Sequence, residues 1–342
     1  MYYIERGCQR VLGRAAKPMA VLCATGGILC SIGTGNMAQS NSMADAVHQL
    51  KIPLSGGVHL PHWASGLLLA LLIWLVVVGG IKRIGTVASK LVPFMSVLYV
   101  TGAVAVVVAN FEAIPHMFVL ILRGAFTGTG AQGGFIGASF LLAMRYGIAR
   151  GIFSNEAGQG SAPIAHAAAK TEYPVREGLV ALMEPLVDTL VICTLTAMVI
   201  LSTGQWTSGE KGAAMTFHAF RSGLDIRFGG VTLGGIVVTV GLLLFAFTTA
   251  IAWSYYGERC VVYLFGRSWI LPYRYLYCVF VFVGAVWAKD LVWQFVDTAI
   301  TLMAVPNLIA LVLLAPEVRR MTQQYFALGH SQNRASGNGS PT

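Results

Sequence analysis

Charged side chains are scarce in this chain. Only 11% of its 342 residues are Asp, Glu, Lys or Arg, against about 25% in soluble domains. That shortage excludes an ordinary soluble globular protein. The 56% hydrophobic content and the mean hydropathy of +0.69 point instead to an integral membrane protein. Cysteine is no framework here: Cys8, Cys23, Cys30, Cys193, Cys260 and Cys278 form no CxxC pair, which leaves no disulfide scaffold and no zinc spacing. No P-loop, nucleophile elbow, HExxH motif or Cys/His cluster occurs, so a membrane enzyme has little positive support. The opening MYYIERGCQRVLGRAAK has no hydrophobic region between its basic residues and a small-residue cleavage site, as a secretory signal would.

What is present is a series of apolar segments. A bilayer needs about 20 mostly apolar residues per helix. Eight segments are read on that basis, at 20–37, 65–81, 91–111, 136–170, 179–201, 231–256, 275–288 and 291–314. The seventh is short, and its start can lie nearer Ile270. No polar linker divides them, so the chain reads as one membrane domain.

The formal charge of +9 would suggest a nucleic-acid partner in a soluble protein. Here the basic residues sit mostly in short, alternating loops. Arg6, Arg10, Arg14 and Lys17 precede the first segment, and Lys82, Arg83 and Lys90 follow the second. Lys170 and Arg176 follow the fourth, Arg259, Arg267 and Arg274 the sixth, and Arg319 and Arg320 the eighth. Cytoplasmic loops carry the excess of Lys and Arg, which places both termini in the cytoplasm. Residues 114–126 are apolar but too short to cross, and a glycine-rich stretch at 127–134 follows. They read as an amphipathic helix lying on the outer surface. The tail after Arg320 is polar and reads as disordered.

One stretch makes poor sense as a lipid-facing helix. Residues 150–163 (RGIFSNEAGQGSAP) place Gly151, Gly158, Gly160, Ser154, Asn155 and Glu156 inside an apolar run. Irregular backbone survives at membrane depth only where protein or a wet cavity covers it. The stretch therefore reads as a broken helix at a binding site. Half-helix N-termini attract anions and freed carbonyls suit cations, which matches a zwitterionic amino acid with a sodium ion. The competing reading is a small-residue packing face, with Glu156 holding the break by pairing with Arg145 or Arg150.

Two further clusters carry polar groups. The first segment ends in GTGNMAQSNS, where Asn36, Gln39 and Met43 fall on one helix face. Such amides can bind a ligand's carboxylate or amine, or they mark a polar helix exit at the outer interface. The sixth segment contains Thr248 and Thr249, hard oxygen ligands of the kind Na⁺ prefers. A membrane threonine also commonly bonds its own i−4 carbonyl. Trp253 can wall a pocket or, with Tyr255 and Tyr256, belong to an interfacial aromatic belt. Glu184, beside a kink at Pro185, Asp188 and Asp297 read as structural pairs or interfacial groups before proton relays.

GNMAQSNSMADA, GGIKRIGTVASKLVPFM, RGIFSNEAGQGSAPIAHAAA, FTTAIAWSYYGERC and MAVPNLIAL resemble the alanine or glycine:cation symporter family, sodium symporters of small neutral amino acids. The likeness runs from Met1 to about Phe326. It implies an all-α polytopic membrane protein with a partial LeuT-like inverted-repeat fold of about eight transmembrane helices. Three spans precede the broken segment where five are expected, so the first two core helices are missing from this stretch. MYYIERG resembles sequence internal to these transporters, which makes Met1 look like an internal methionine and the chain like an N-terminally truncated member.

The resemblance places Gln39, Phe153, Ser154, Asn155 and Trp253 near the substrate and Thr248 and Thr249 near sodium. With Asn36 and Gly158 from the residue reading, these are the candidate site. Family members commonly carry Gly where this chain has Ala252, and the added methyl would shrink the pocket. One transport domain is expected over 1–316. It comprises the remainder of the first repeat (17–111), an extracellular surface helix and loop (112–135) and the second repeat (136–314), with a cytoplasmic polar tail over 317–342.

The expected function is sodium-coupled symport of alanine or glycine across the cell inner membrane. It needs no covalent chemistry, and Na⁺ is the coupling ion rather than a cofactor. The lipid bilayer and an N-terminal transporter fragment are the expected partners. A degenerate non-transporting scaffold, or one half of a split transporter, is the alternative. A channel is disfavoured, since no repeated pore motif or charged ring occurs.

Overall fold

The computed structural model describes residues 1–49, 61–126, 136–210, 212–228, 231–287 and 289–337. A short helix, α1 (Tyr2–Gly7), leads to α2 (Ala16–Ile32). A five-residue π-helical turn, Gly33–Met37, joins α2 to α3 (Ala38–Gln49). Then come α4 (His62–Val77), α5 (Gly80–Ala109), α6 (Ile114–Phe126), α7 (Ile136–Asn155) and α8 (Ala162–His166). α9 (Pro174–Ala181) runs through Met183–Pro185 and a π-helical stretch, Leu186–Cys193, into α10 (Thr194–Ser202). α11 (Ala213–Gly223) precedes β1 (Arg227–Phe228) and β2 (Val231–Thr232), which pair antiparallel. The long helices α12 (Leu233–Phe265), α13 (Ile270–Val286) and α14 (Lys289–Gly337) complete the described chain.

Composition explains why these residues form membrane helices. In α4, Leu67, Leu68, Leu71, Leu72 and Leu75 are exposed while Ser65, Leu69, Ile73 and Val77 are buried. The buried set recurs every four residues, a helix seam, and the opposite face is as apolar as the seam. A helix apolar all round belongs in a protein core or in lipid. α4 rests its seam on α13, α5 packs on α12, and α2 lies between α12 and α14. α12 begins where the Thr232 hydroxyl accepts from the Gly235 N–H at 3.2 Å, an N-cap. It ends at Gly266, whose φ of 89° is left-handed backbone that glycine adopts freely.

Among the described residues six helical runs are long and apolar enough to cross a membrane: Gln9–His48, Gly80–Ala109, Pro174–Ser202, Leu233–Phe265, Arg267–Val286 and Leu291–Leu328. The chain is a predominantly helical, polytopic membrane protein. The eight sequence segments map onto these six together with α4 and α7. α4 has 16 residues, and at 1.5 Å rise it extends about 24 Å, short of the roughly 30 Å hydrocarbon core.

Several boundaries move. α5 starts at Gly80 and carries Lys82, Arg83 and Lys90 inside the helix rather than in a loop. α13 starts at Ile270, as the shorter sequence segment allowed. The amphipathic helix falls at Ile114–Phe126 as read, and the glycine-rich stretch at 127–134 lies outside the described residues. The tail read as disordered continues as the end of α14 to Gly337, with 338–342 outside the described residues.

Candidate functional site

The break is built from backbone that ordinary residues avoid. α7 ends at Asn155, and Gly158 (φ 76°) and Gly160 (φ 111°) then turn the chain into α8. Among the described residues Glu156 is the single non-glycine residue with positive φ, at 56°. That conformation costs an L-residue roughly 1–2 kcal/mol, so surrounding contacts must hold it. The Glu156 N–H donates to the Ile152 carbonyl at 3.0 Å, and the Gln159 N–H donates to the Glu156 carbonyl at 3.1 Å. The Ser161 hydroxyl donates to one carboxylate oxygen at 2.6 Å, and the Trp253 indole N–H donates to the other at 2.8 Å. Across the break, Asn307 of α14 donates to the Gly158 carbonyl at 2.7 Å.

The second half of the break differs from the sequence reading. The segment read over 136–170 does not stay helical to its end: α8 stops at His166. His166 turns toward α9 instead, with Nδ1 2.7 Å from Glu177 and Nε2 3.6 Å from Glu184. The helix propensity of alanine yields there to the tertiary contact. Glu156 pairs with neither Arg145 nor Arg150. Arg150 reaches Asp297 at 3.1 Å and lies over the Trp293 ring, 5.0 Å from its centroid.

A second polar cluster forms where the π-helical turn meets α12 and α13. Asn36 is fully buried and donates to the Tyr277 carbonyl at 2.6 Å. The Tyr277 hydroxyl lies 2.7 Å from the Ala250 carbonyl and 3.1 Å from that of Gly35. Asn41 donates to the Gly284 and Trp287 carbonyls, each at 3.1 Å. The GTGNMAQSNS segment is therefore an inward-facing surface, not a polar exit. Among the described residues four buried side-chain oxygens have no hydrogen-bond partner: Thr34 Oγ1, Asn36 Oδ1, Gln159 Oε1 and, on α12, Thr239 Oγ1. Buried polar groups are nearly always paired, so unmet acceptors ask for a donor or a cation.

The sequence-derived candidates divide between two faces. Trp253 is 1% exposed, a buried wall rather than a member of an aromatic belt. It lies against Gly35, where an added Cβ would come within 2.0 Å of the Trp253 Cβ. Gln39, half-buried, donates to the Thr34 carbonyl at 3.1 Å. Thr248 directs its hydroxyl to the Leu244 and Phe245 carbonyls at 2.9 and 3.0 Å, the back-bonding expected of a membrane threonine. That bond uses its proton and leaves oxygen lone pairs. Thr249 is half-buried.

Phe153, Ser154 and Asn155 make their contacts elsewhere. Asn155 donates to Thr189 at 2.9 Å and accepts from the Ala157 N–H at 2.9 Å, which caps the break. Ser154 lies 3.3 Å from the Cys193 thiol, and the Phe153 ring packs 5.5 Å from Trp293. A cavity of about 450 Å³ opens beside them, lined by Arg150, Phe153, Gly158, Gln159, Asp297 and Leu308. The reading missed Gln159, Tyr277 and Asn307 as site groups. The QG of SNEAGQG pointed to Gln159. Tyr277 and Asn307 lie in apolar helices, where only the fold reveals their aim.

The sodium:alanine symporter family model matches residues 1–337. An uncharacterized transporter of Haemophilus influenzae is 42% identical over 328 residues, 95% of this chain and 68% of that protein. The sodium/alanine symporter AgcS of Methanococcus maripaludis is 38% identical over 330 residues, again 95% and 68% of the two chains. A probable sodium/glutamine symporter, GlnT of Bacillus subtilis, is 33% identical, covering 95% of this chain and 63% of its own length. The chain thus spans about two thirds of the length of these relatives. Apolar helices, a break lined with polar groups and these likenesses converge: the chain belongs to the sodium:alanine symporter family, whose members are transporters and not enzymes.

Proposed function

We propose that this chain is a sodium-coupled symporter of small neutral amino acids, alanine or glycine, working by alternating access in the cell inner membrane with both termini cytoplasmic. A LeuT-like inverted-repeat architecture belongs to the same proposal. The observation that carries it is the break itself. Left-handed backbone at Glu156, Gly158 and Gly160 opens the helix at membrane depth, and Glu156 ties it to the helix bearing Thr248 and Thr249.

The unmet acceptors support the chemistry. Asn36 Oδ1 and Gln159 Oε1 are buried without donors, a demand that an ammonium group or Na⁺ would satisfy. The C-terminal end of α7, beyond the Ile152 carbonyl that Glu156 and Gln159 take, carries the negative end of its dipole, which favours a cation. Thr249, with Thr248, is the proposed sodium ligand. Asn36, Gln39, Trp253, Gly158 and the Phe153–Asn155 face are the proposed substrate surface. Ala252, beside Trp253, takes space that a glycine would leave open, which favours the smallest side chains. Substrate and Na⁺ each raise the other's affinity because both stabilise one occluded state.

The test is sodium-gradient-driven uptake of labelled alanine, glycine and glutamine into proteoliposomes. It uses this chain alone and the chain co-expressed with the N-terminal part of a relative. Sodium-stimulated alanine or glycine uptake in either arm supports the proposal. Absence from both, with intact protein in the vesicles, leaves the non-transporting scaffold as the reading.

A further inference from the structure

Trp253 is held at both ends. Its Cβ lies where Gly35 has no side chain, so the ring's base cannot shift toward the π-helical turn. Its indole N–H, which only donates, is taken by Glu156 at 2.8 Å. Tyr256 packs edge-on at 5.4 Å between ring centroids. The two ends differ in kind. Gly35 is a passive limit, whereas Glu156 stands on the strained turn of the break.

We infer that Glu156 is a positioning residue: it sets the orientation of the Trp253 indole and ties that orientation to the geometry of the break. This rests on the reading of Trp253 as part of the substrate surface. Three observations support it. The positive φ of Glu156 is retained where most residues would relax, and that backbone aims the carboxylate at α12. Both carboxylate oxygens are occupied by donors from different places, Ser161 within the break and Trp253 97 positions away. The nearby guanidinium of Arg150 is engaged with Asp297, so Glu156 is not serving an ion pair with it. A change in the break moves the carboxylate and releases the indole. The residue that shapes the pocket thereby senses whether the helix is opened in its binding form.

The experiment uses the full chain labelled with 5-fluorotryptophan in lipid nanodiscs. Of its seven tryptophan resonances, the one lost in Trp253→Phe belongs to Trp253. Glu156→Leu is expected to displace that resonance by more than its linewidth and leave the other six in place. Glu156→Gln keeps an acceptor oxygen and should leave it near the parent position. Should Glu156→Leu fail to fold, Ser161→Ala, which frees one side of the clamp, is expected to displace the same resonance by a smaller amount.

Equilibrium binding of labelled alanine gives the functional arm. Glu156→Leu and Trp253→Phe should each weaken binding roughly tenfold, the scale of one lost buried hydrogen bond. The double variant should be no weaker than either, because coupled residues do not add. An unmoved Trp253 resonance in Glu156→Leu, or additive losses, overturns the positioning role. Alanine binding unaffected by Trp253→Phe instead overturns the reading of Trp253 as substrate surface, and the resonance still decides the role of Glu156.

Discussion

Asn307, on the long last helix, donates its side-chain amide to the carbonyl of Gly158, 149 positions earlier in the chain. The same amide's oxygen accepts from the Tyr3 hydroxyl. One buried side chain thus joins α1, α14 and the turn of the broken helix. Without it, the half-buried Gly158 carbonyl loses this donor and the Tyr3 hydroxyl loses its acceptor.

Asn307→Leu is expected to lower stability by roughly 1–3 kcal/mol, the cost of leaving such a carbonyl unsatisfied. The check is the thermal midpoint of the detergent-solubilised chain, read by size-exclusion chromatography after heating. A midpoint equal to the parent's would mean that the break does not depend on this bond.

Gly35 and Gly257 are closed to side chains. A Cβ at Gly35 would meet Trp253 at 2.0 Å, and one at Gly257 would meet the Tyr273 hydroxyl at 2.0 Å. Gly35→Ala and Gly257→Ala should each cost roughly 1–3 kcal/mol by overpacking. Gly124→Ala is the control, since nothing lies within 4 Å of the added methyl. On its exposed helix it should be neutral or stabilising by up to about 1 kcal/mol. Equal behaviour of all three variants in the same melting assay would contradict the packing.

Glu258 is buried, and its carboxylate lies 2.7 Å from the Arg274 guanidinium. Arg259 also contacts it, and Arg274 further donates to the Val78 carbonyl at 2.9 Å. Glu258→Leu strands a buried cation, and roughly 3–5 kcal/mol of destabilisation is expected. Glu258→Leu combined with Arg274→Met should recover part of that loss, because the more buried of the two guanidiniums goes with the carboxylate and only the more exposed Arg259 is left. A double variant less stable than Glu258→Leu alone would show that Arg274 acts through its carbonyl bond and not through the pair.

Thr249→Ala should raise the sodium concentration for half-maximal alanine uptake by roughly tenfold, the scale of one lost oxygen ligand. Expression and monodispersity should stay at parent levels. An unchanged sodium dependence would remove Thr249 from the proposed sodium ligands and leave the Thr248 hydroxyl to be tested by Thr248→Val.

The amino-acid sequence by itself determined where the membrane helices lie and where one of them breaks. Both are local properties. Apolar runs of sufficient length leave few alternatives in lipid, and Gly158 and Gly160 beside a carboxylate inside such a run mark where the helix stops. Only the tertiary structure decided which partner each polar group takes. Glu156 had two arginines nearby in sequence, yet it bonds Trp253 across 97 positions while Arg150 finds Asp297. Asn155, read as a ligand group, caps its own break. In a low-dielectric interior nearly every donor finds some acceptor, and which one it finds depends on which helices pack together. The periodicity of any single helix carries no record of that choice.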